Sequence, residues 1–280
     1  MNINSITAIG RPIDRNYSTN KAISIITIIV AAGSFVFKLI TGFELVPAFL
    51  WGLGAGVAVF LGWAVCREID PDNDLSAFVA AALTGIGLYL WDLPGFLQIF
   101  WLLLLIRIIN RTTGLEPKIL DSLVLLALGM VLSFLGNWSF GIVTLIAFLF
   151  DALLPKKNRK QLIFAAAAAV GIIIRLFVIK GVWAPLELER VTFLVSGLLV
   201  VLSVPVIIGY RKVSSTGDQT GEQLLSIRVQ MGQITAVLAG IAAVIYSGTA
   251  GLYMMLPFWA SIVAALLYLP VKLVIKQGKA

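Results

Sequence analysis

Four carboxylates lie within seven residues of an otherwise apolar chain, in the segment Arg67-Glu68-Ile69-Asp70-Pro71-Asp72-Asn73-Asp74. Hard cations such as Mg²⁺ prefer oxygen ligands, and alternating acids on a turn can converge on one ion. The spacing therefore predicts a Mg²⁺ site formed by Asp70, Asp72 and Asp74, and it makes Glu68 and Asp72 the candidate catalytic groups.

Helix capping is the competing interpretation of the same segment. Asp70 precedes a proline and would end one helix, while Asp74 would cap the next helix at its positive dipole end. Capping explains these two acids but leaves Glu68 and Asp72 without a role.

A second set of residues could bind phosphate. Arg107 and Arg111 are four residues apart, so on a continuous helix they share a face and can hold one phosphate group, with Asn110 as a neutral hydrogen-bonding partner. Arginines that extend to the membrane interface are the alternative. Asp121 and Asp151 could join this cluster, or serve as helix caps or partners of loop lysines.

Arg175 lies inside an apolar run, where a charge is costly and often functional. It is therefore a further candidate for substrate binding, although a position near the end of its span would also allow it to reach the interface.

Missing residue types exclude several chemistries. The chain has no histidine and one cysteine, Cys66, so haem ligation, iron–sulfur clusters, zinc sites and Ser-His catalysis are not expected. Catalysis would have to use carboxylates, lysine, arginine or hydroxyl groups, with a hard cation as the expected cofactor.

Composition predicts an all-α, polytopic transmembrane helix bundle. Hydrophobic residues make up 60% of the chain and the mean hydropathy is +1.00, and an apolar run of about 20 residues can cross a bilayer as a helix. We predict ten helices, or eight to nine if either tight turn, Trp91–Gly95 or Gly136–Ser139, belongs to a re-entrant element. Their expected ranges are 22–41, 46–66, 75–91, 94–110, 119–137, 139–154, 161–180, 191–210, 229–247 and 252–270.

Loop charges predict the orientation. With both termini in the cytoplasm, almost all of the 21 basic residues fall on the cytoplasmic side, and the exceptions are Lys38, Arg175, Lys180 and Arg190. We therefore expect a cytoplasmic tail over residues 1–20, one transmembrane domain over 21–271 and a basic cytoplasmic tail over 272–280, in the inner membrane. The net charge of +7 is explained by this topology and by contact with anionic lipid, so no nucleic acid partner is expected.

Interruptions within the apolar runs carry further expectations. Glycines at G-x-x-x-G spacing in 52–56 predict close helix packing, and the segment Ser247–Gly251 is expected to kink or break a helix. Residues 211–228 are rich in Ser, Thr and Gly, and are expected to form the longest loop and a mobile one.

Two families resemble this layout. The segment Arg67-Glu68-Ile69-Asp70, after the second helix on the cytoplasmic side, is similar to the tail of the first Asp-rich motif of UbiA-type prenyltransferases. That resemblance implies a membrane enzyme that binds a prenyl diphosphate through Mg²⁺. Ten helices with short loops and cytoplasmic termini also look like the drug/metabolite transporter architecture, which implies two inverted five-helix repeats.

Three functional hypotheses remain open at this point. The first is a divalent-cation-dependent enzyme that acts on a phosphate-bearing lipid or isoprenoid at the cytoplasmic interface. The second is a transporter of a small solute, and the third is a non-catalytic membrane scaffold or partner subunit. Nearly all strong charges lie at the cytoplasmic ends of the helices, which favours the enzyme over a transporter with a site at the middle of the membrane.

Overall fold

The computed structural model describes residues 6–11, 17–179 and 188–277, with side chains as far as Pro270. These residues form ten α-helices and no strand, apart from one isolated bridge between Thr216 and Gln223. The helices are α1 (Ser18–Ile40), α2 (Leu45–Ile69), α3 (Asp74–Leu90), α4 (Phe96–Asn110), α5 (Ile119–Leu135), α6 (Ser139–Leu153), α7 (Gln161–Val178), α8 (Arg190–Gly209), α9 (Ser226–Met254) and α10 (Leu256–Gln277).

The predicted helices are all present in the described residues. Both tight turns separate independent helices, because Trp91 ends α3 and Gly136 ends α5. The Asn137 Oδ1 atom accepts a hydrogen bond from the Ser139 backbone amide at 2.9 Å, and this bond fixes the start of α6. At the chain ends, α1 begins at Ser18 and α10 continues to Gln277, so the helical regions extend into both predicted tails. Lys180 and Lys279, used in the orientation argument, lie outside the described residues.

Within the residues that the structure describes, five helices are long and apolar enough to cross a membrane: α1, α2, α7, α8 and α9. The apolar helices α3, α4, α5 and α6 are shorter, at 15 to 17 residues each. These five helices have the length and composition of membrane spans, which suggests a membrane protein.

The chain divides into two compact units, Ile13–Ile99 with Tyr253–Ala280 (the first unit) and Met1–Pro12 with Phe100–Leu252 (the second unit). In the first unit, α1 and α2 pack closely at two glycines. A Cβ atom at Gly52 would lie 2.7 Å from the Ala31 carbonyl oxygen, and one at Gly56 would lie 2.9 Å from that of Thr27. The G-x-x-x-G prediction of close packing is therefore confirmed.

Within the second unit, the segment between α8 and α9 is held in place. Tyr210, Val213, Leu224 and Val229 form a small buried apolar cluster. The backbone amide of Asp218 also donates to the Thr112 carbonyl at 3.1 Å. The composition of this loop predicts mobility, but its apolar cluster anchors it beside the ends of α8 and α9, and its backbone hydrogen bonds hold it to the turn after α4.

Helix α9 is interrupted at Gly248, where φ is 56° and ψ is −132°. These angles match the first central position of a type II′ turn, which glycine dominates. The chain folds back after this break, since a Cβ atom at Gly251 would overlap the carbonyl oxygen of Ala243. The expected break at Ser247–Gly251 is confirmed.

Candidate functional site

The acidic segment of the first unit forms a tight turn between α2 and α3. Asp70 is the C-terminal capping residue of α2, and its Oδ1 accepts the Asn73 side-chain amide at 2.6 Å. Asn73 is the N-cap of α3 and Asp74 is the first helical residue. The negative charge of Asp74 there interacts favourably with the positive end of the helix dipole. The expectation that Asp70 ends α2 is confirmed, whereas the cap of α3 is one residue earlier than expected.

Two members of the predicted cation site already have protein partners. Asp74 pairs with Arg67, and Asp70 is bonded to Asn73. Glu68 is completely buried and Asp70 nearly so. Over the described ranges, no three Asp, Glu, Cys or His side chains are grouped as metal ligands. A cation at Asp70, Asp72 and Asp74 would have to compete with Arg67 for Asp74, and this site remains a prediction.

The phosphate-binding candidates belong to the second unit. Helix α4 ends at Asn110, and Arg111 has a φ of 53°, so the chain leaves the helical path there. The face shared by Arg107 and Arg111 requires a continuous helix, and this condition is not met. The Arg107 side chain reaches the Ile9 carbonyl at 3.5 Å, whereas Arg111 turns toward α6.

Arg111 meets a carboxylate that is completely buried. Its Nε and Nη2 atoms both lie 2.8 Å from Oδ1 of Asp151, which is in the last turn of α6. The prediction that Asp151 lies beside the arginines is confirmed for Arg111. A carboxylate near a helix C-terminus faces the negative end of the helix dipole, so this position is unfavourable without cationic partners.

Arg228, in the first turn of α9, provides the second cationic partner. Its Nη1 donates to Asp151 Oδ1 at 2.7 Å and to the Ile109 carbonyl at 2.9 Å. Nε donates to the Pro155 carbonyl at 2.8 Å, and Nη2 to that of Lys156 at 3.1 Å. Arg228 therefore ties the end of α4 and the α6–α7 loop to α9, and its donors are fully engaged by the protein.

The Arg111–Asp151–Arg228 cluster contains two buried guanidinium groups for one buried carboxylate. Each of the three residues is at most 4% exposed. The remaining anionic neighbour is Glu116, an exposed side chain whose Oε1 lies 3.7 Å from Arg111 Nη1, beyond hydrogen-bonding distance. Arg111 Nη1 is thus only loosely paired with an exposed carboxylate. A phosphate oxygen could take the place of the Glu116 carboxylate at this atom.

Asp151 also has an unsatisfied oxygen. In the described part of the chain, no hydrogen-bond donor contacts its Oδ2, although the atom is buried. All donors converge on Oδ1, so the carboxylate keeps one acceptor available in the interior.

Two other sequence candidates have structural partners. Arg175 is buried, and it donates to the Ser133 carbonyl of α5 at 2.9 Å and to the Ile179 carbonyl at 3.2 Å. Asp121, at the third position of α5, accepts a hydrogen bond from the Lys118 backbone amide at 2.8 Å and so caps the start of this helix. Both side chains connect or cap helices within the second unit, as the alternative interpretation of Asp121 predicts.

Sequence reasoning missed Arg228. The apolar run suggests a helix beginning near residue 229, which leaves Arg228 in a loop, whereas α9 begins at Ser226. A basic residue in the first turn of a helix opposes the dipole and needs an anionic partner, but this signal is hidden when the apolar run places Arg228 outside the helix. Asp151, an acid near a helix C-terminus, faces the negative end of its own helix dipole and needs a cationic partner.

Comparison with known proteins gives no match for this chain among protein-family models, curated proteins or solved structures.

Proposed function

We propose that the chain is a ten-span protein of the inner membrane, with both termini in the cytoplasm, that acts on a phosphate-bearing lipid or isoprenoid at the cytoplasmic interface. The positive-inside distribution of basic residues supports the orientation. Five described helices are long and apolar enough to span a membrane and the other five are apolar but shorter, which supports a multi-span protein; the number ten is taken from the helix count.

One observation carries the functional part of this proposal: the excess of buried guanidinium groups in the Arg111–Asp151–Arg228 cluster. Arg228 is committed to protein acceptors, so Arg111 is the group that can bind ligand. A phosphate oxygen would replace Glu116 at Arg111 Nη1 and form a charge-assisted hydrogen bond, which is stronger than a pairing at 3.7 Å. Asp151, held by Arg228, keeps the Arg111 guanidinium oriented while this exchange occurs.

In the proposed chemistry, Arg111 stabilises negative charge that develops on a leaving phosphate group. A buried guanidinium is effective in this role because its position is fixed before the reaction and little water competes with it. A divalent cation held by Asp70, Asp72 and Asp74 of the first unit, with Glu68 assisting, is a separate part of the proposal.

Binding assays with purified protein test the phosphate site. The probes are farnesyl diphosphate in micelles, phosphatidic acid in nanodiscs and inorganic phosphate, which distinguish an isoprenoid, a lipid headgroup and free phosphate. We expect Arg111→Gln and Arg111→Lys to weaken binding of the preferred probe by about tenfold or more, since a hydrogen bond to a charged group contributes about 1.5–3 kcal/mol. Glu116→Gln should strengthen it by removing a competitor.

Arg159→Gln is the matched control, because Arg159 is an exposed basic residue of the same unit. Equal losses in the Arg159 and Arg111 variants would show nonspecific attraction to basic loops and would overturn the assignment.

The cation is tested separately by thermal unfolding. Mg²⁺ or Mn²⁺ should raise the melting temperature of the wild-type protein, and the triple change Asp70/Asp72/Asp74→Asn should abolish the shift. A wild-type melting temperature that does not respond to either cation contradicts the metal part of the proposal and leaves the arginine site intact.

Solute transport is the alternative, and the interruption of α9 at Gly248 favours it. Broken helices with exposed backbone groups form binding sites in many transporters. Uptake of a phosphorylated solute into proteoliposomes, without chemical conversion, would support this function over catalysis.

A further inference from the structure

The N-terminal segment Ile6–Arg11, here called the strap, is held against the second unit. Although it belongs to a polar tail, its two central residues are buried, with Ala8 fully covered and Ile9 only 4% exposed. Burial of a short terminal segment requires specific partners, since chain ends are otherwise poorly ordered.

One edge of the strap is held by the start of α5. The Ala8 amide donates to Asp121 Oδ2 at 2.9 Å, and the Thr7 hydroxyl donates to Asp121 Oδ1. The same carboxylate accepts the Lys118 amide, so its position is fixed by the capping of α5. The strap therefore uses an acceptor that the helix has already oriented.

The other edge is held by the end of α4 and the turn that follows. The Thr113 hydroxyl donates to the Ala8 carbonyl at 2.7 Å, and Arg107 Nη1 approaches the Ile9 carbonyl at 3.5 Å. Arg107 is a predicted phosphate ligand, and Thr113 is two residues from Arg111. The strap thus occupies donors on the segment that carries the proposed phosphate site.

A surface ion pair completes the attachment. Arg11 donates to Asp218 through Nε at 2.5 Å and Nη2 at 3.1 Å. The Asp218 amide is itself bonded to the Thr112 carbonyl. Exposed ion pairs typically contribute 1 kcal/mol or less and weaken with salt, so this end of the strap is readily released.

We propose that the strap is an autoinhibitory contact: it occupies Arg107 and Thr113, which are close to Arg111 in the chain, and must leave before a phosphate-bearing ligand on Arg111 can also bind Arg107. This inference rests on the proposed function. A phosphate is a stronger acceptor for a guanidinium than the neutral carbonyl of Ile9, so ligand binding and strap attachment compete for the same donor. A strap attached about nine-tenths of the time would weaken apparent ligand affinity about tenfold.

The test displaces the strap without changing the body of the second unit. Ala8→Glu places a charge at a fully buried position beside the Asp121 carboxylate, and like charges repel. Ile6→Glu is the matched control, because Ile6 is 39% exposed and can carry a charge into solvent. Hydrogen exchange over residues 6–11 reports strap release, and farnesyl diphosphate and phosphatidic acid report ligand binding.

We expect Ala8→Glu to accelerate hydrogen exchange in the strap and to increase the affinity for the phosphate probe by about tenfold, whereas Ile6→Glu changes neither. Deletion of residues 2–11 should reproduce the affinity gain if the single change leaves the strap partly attached. Equal probe affinity in the wild type and in both released variants would overturn the autoinhibitory role alone. Failure of every probe to bind any of the proteins would overturn the proposed function, and the role of the strap with it.

Discussion

The charged residues of the second unit are stabilised as a group. Asp151 lies at the unfavourable end of α6 and Arg228 at the unfavourable end of α9, and each offsets the dipole penalty of the other. Arg228 also donates to the carbonyl oxygens of Ile109, Pro155 and Lys156. Loss of Arg228 would therefore disturb three segments at once.

We predict that Arg228→Met destabilises the folded protein by about 3–5 kcal/mol, because it leaves a buried carboxylate with one cationic partner instead of two. Chemical unfolding in micelles measures the loss. Arg159→Met is the control, and at this exposed position the change should stay within about 0.5 kcal/mol. Similar stability of the two variants would contradict the structural role of Arg228.

The identity of Asp151 as a partner of Arg111 could be anticipated from sequence, since both lie near helix ends that the loop charges predict to be on one side of the membrane. The pairing with Arg228 could not, because hydropathy alone does not locate the first turn of a helix. Helix α9 begins three residues earlier than the apolar run predicts, and this difference places Arg228 in the helix and in the buried cluster instead of in a loop.

A second residue-scale prediction concerns pH. The hydrogen bond and positive charge of Lys156 lower the pKa of Glu222 from its usual 4.5. The folded pKa is the lower one, so the pair stabilises the loop above about pH 4.5 and this contribution disappears as the pH falls through the lowered pKa. Carbon-detected NMR should show the Glu222 pKa rising toward 4.5 in Lys156→Gln, and no change in Lys157→Gln.

At the scale of elements, the break in α9 depends on one glycine. Gly248 adopts φ 56° and ψ −132°, which side chains rarely tolerate, whereas Gly197 in α8 has neither a positive φ nor a neighbour within 4 Å of an added Cβ. We predict that Gly248→Ala destabilises the protein by about 1–3 kcal/mol. Gly197→Ala should be neutral or stabilising by up to about 1 kcal/mol. A tolerated Gly248→Ala would show that the break does not need this backbone conformation.

Helix ends show what sequence can predict at this scale. Turns rich in Gly, Pro, Asn and Asp correctly separate α3 from α4 and α5 from α6, since these residues interrupt helices by local geometry. The side-chain partners of the acidic residues in the α2–α3 turn were harder to predict from the sequence. Arg67 precedes the acids by only a few residues, yet its pairing with Asp74 depends on how the chain turns at Asp70.

For the whole molecule, apolar composition and positive-inside charge together predict an orientation that can be measured. In a Cys66→Ser background, Thr41→Cys lies in the exposed turn between α1 and α2, and Lys157→Cys in the exposed loop after α6. A membrane-impermeant thiol reagent should label residue 41 in intact cells and residue 157 only after permeabilisation. The opposite pattern would reverse the proposed topology.

The division into two units was not predictable from hydropathy. The first unit combines α1–α3 with α10, which is distant in sequence, and the division falls within α4 and near the end of α9. Hydropathy identifies apolar segments, but the association of helices depends on side-chain packing between distant parts of the chain.

Arg111 is proposed to bind the phosphate of the substrate, and ³¹P–¹⁵N dipolar recoupling measures this contact directly. Protein labelled at the arginine guanidinium nitrogens is reconstituted in nanodiscs with the preferred phosphate probe. We predict a dephased guanidinium signal that disappears in Arg111→Lys and persists in Arg159→Lys. A signal that persists in Arg111→Lys, or its absence from the wild type with bound probe, would contradict the account.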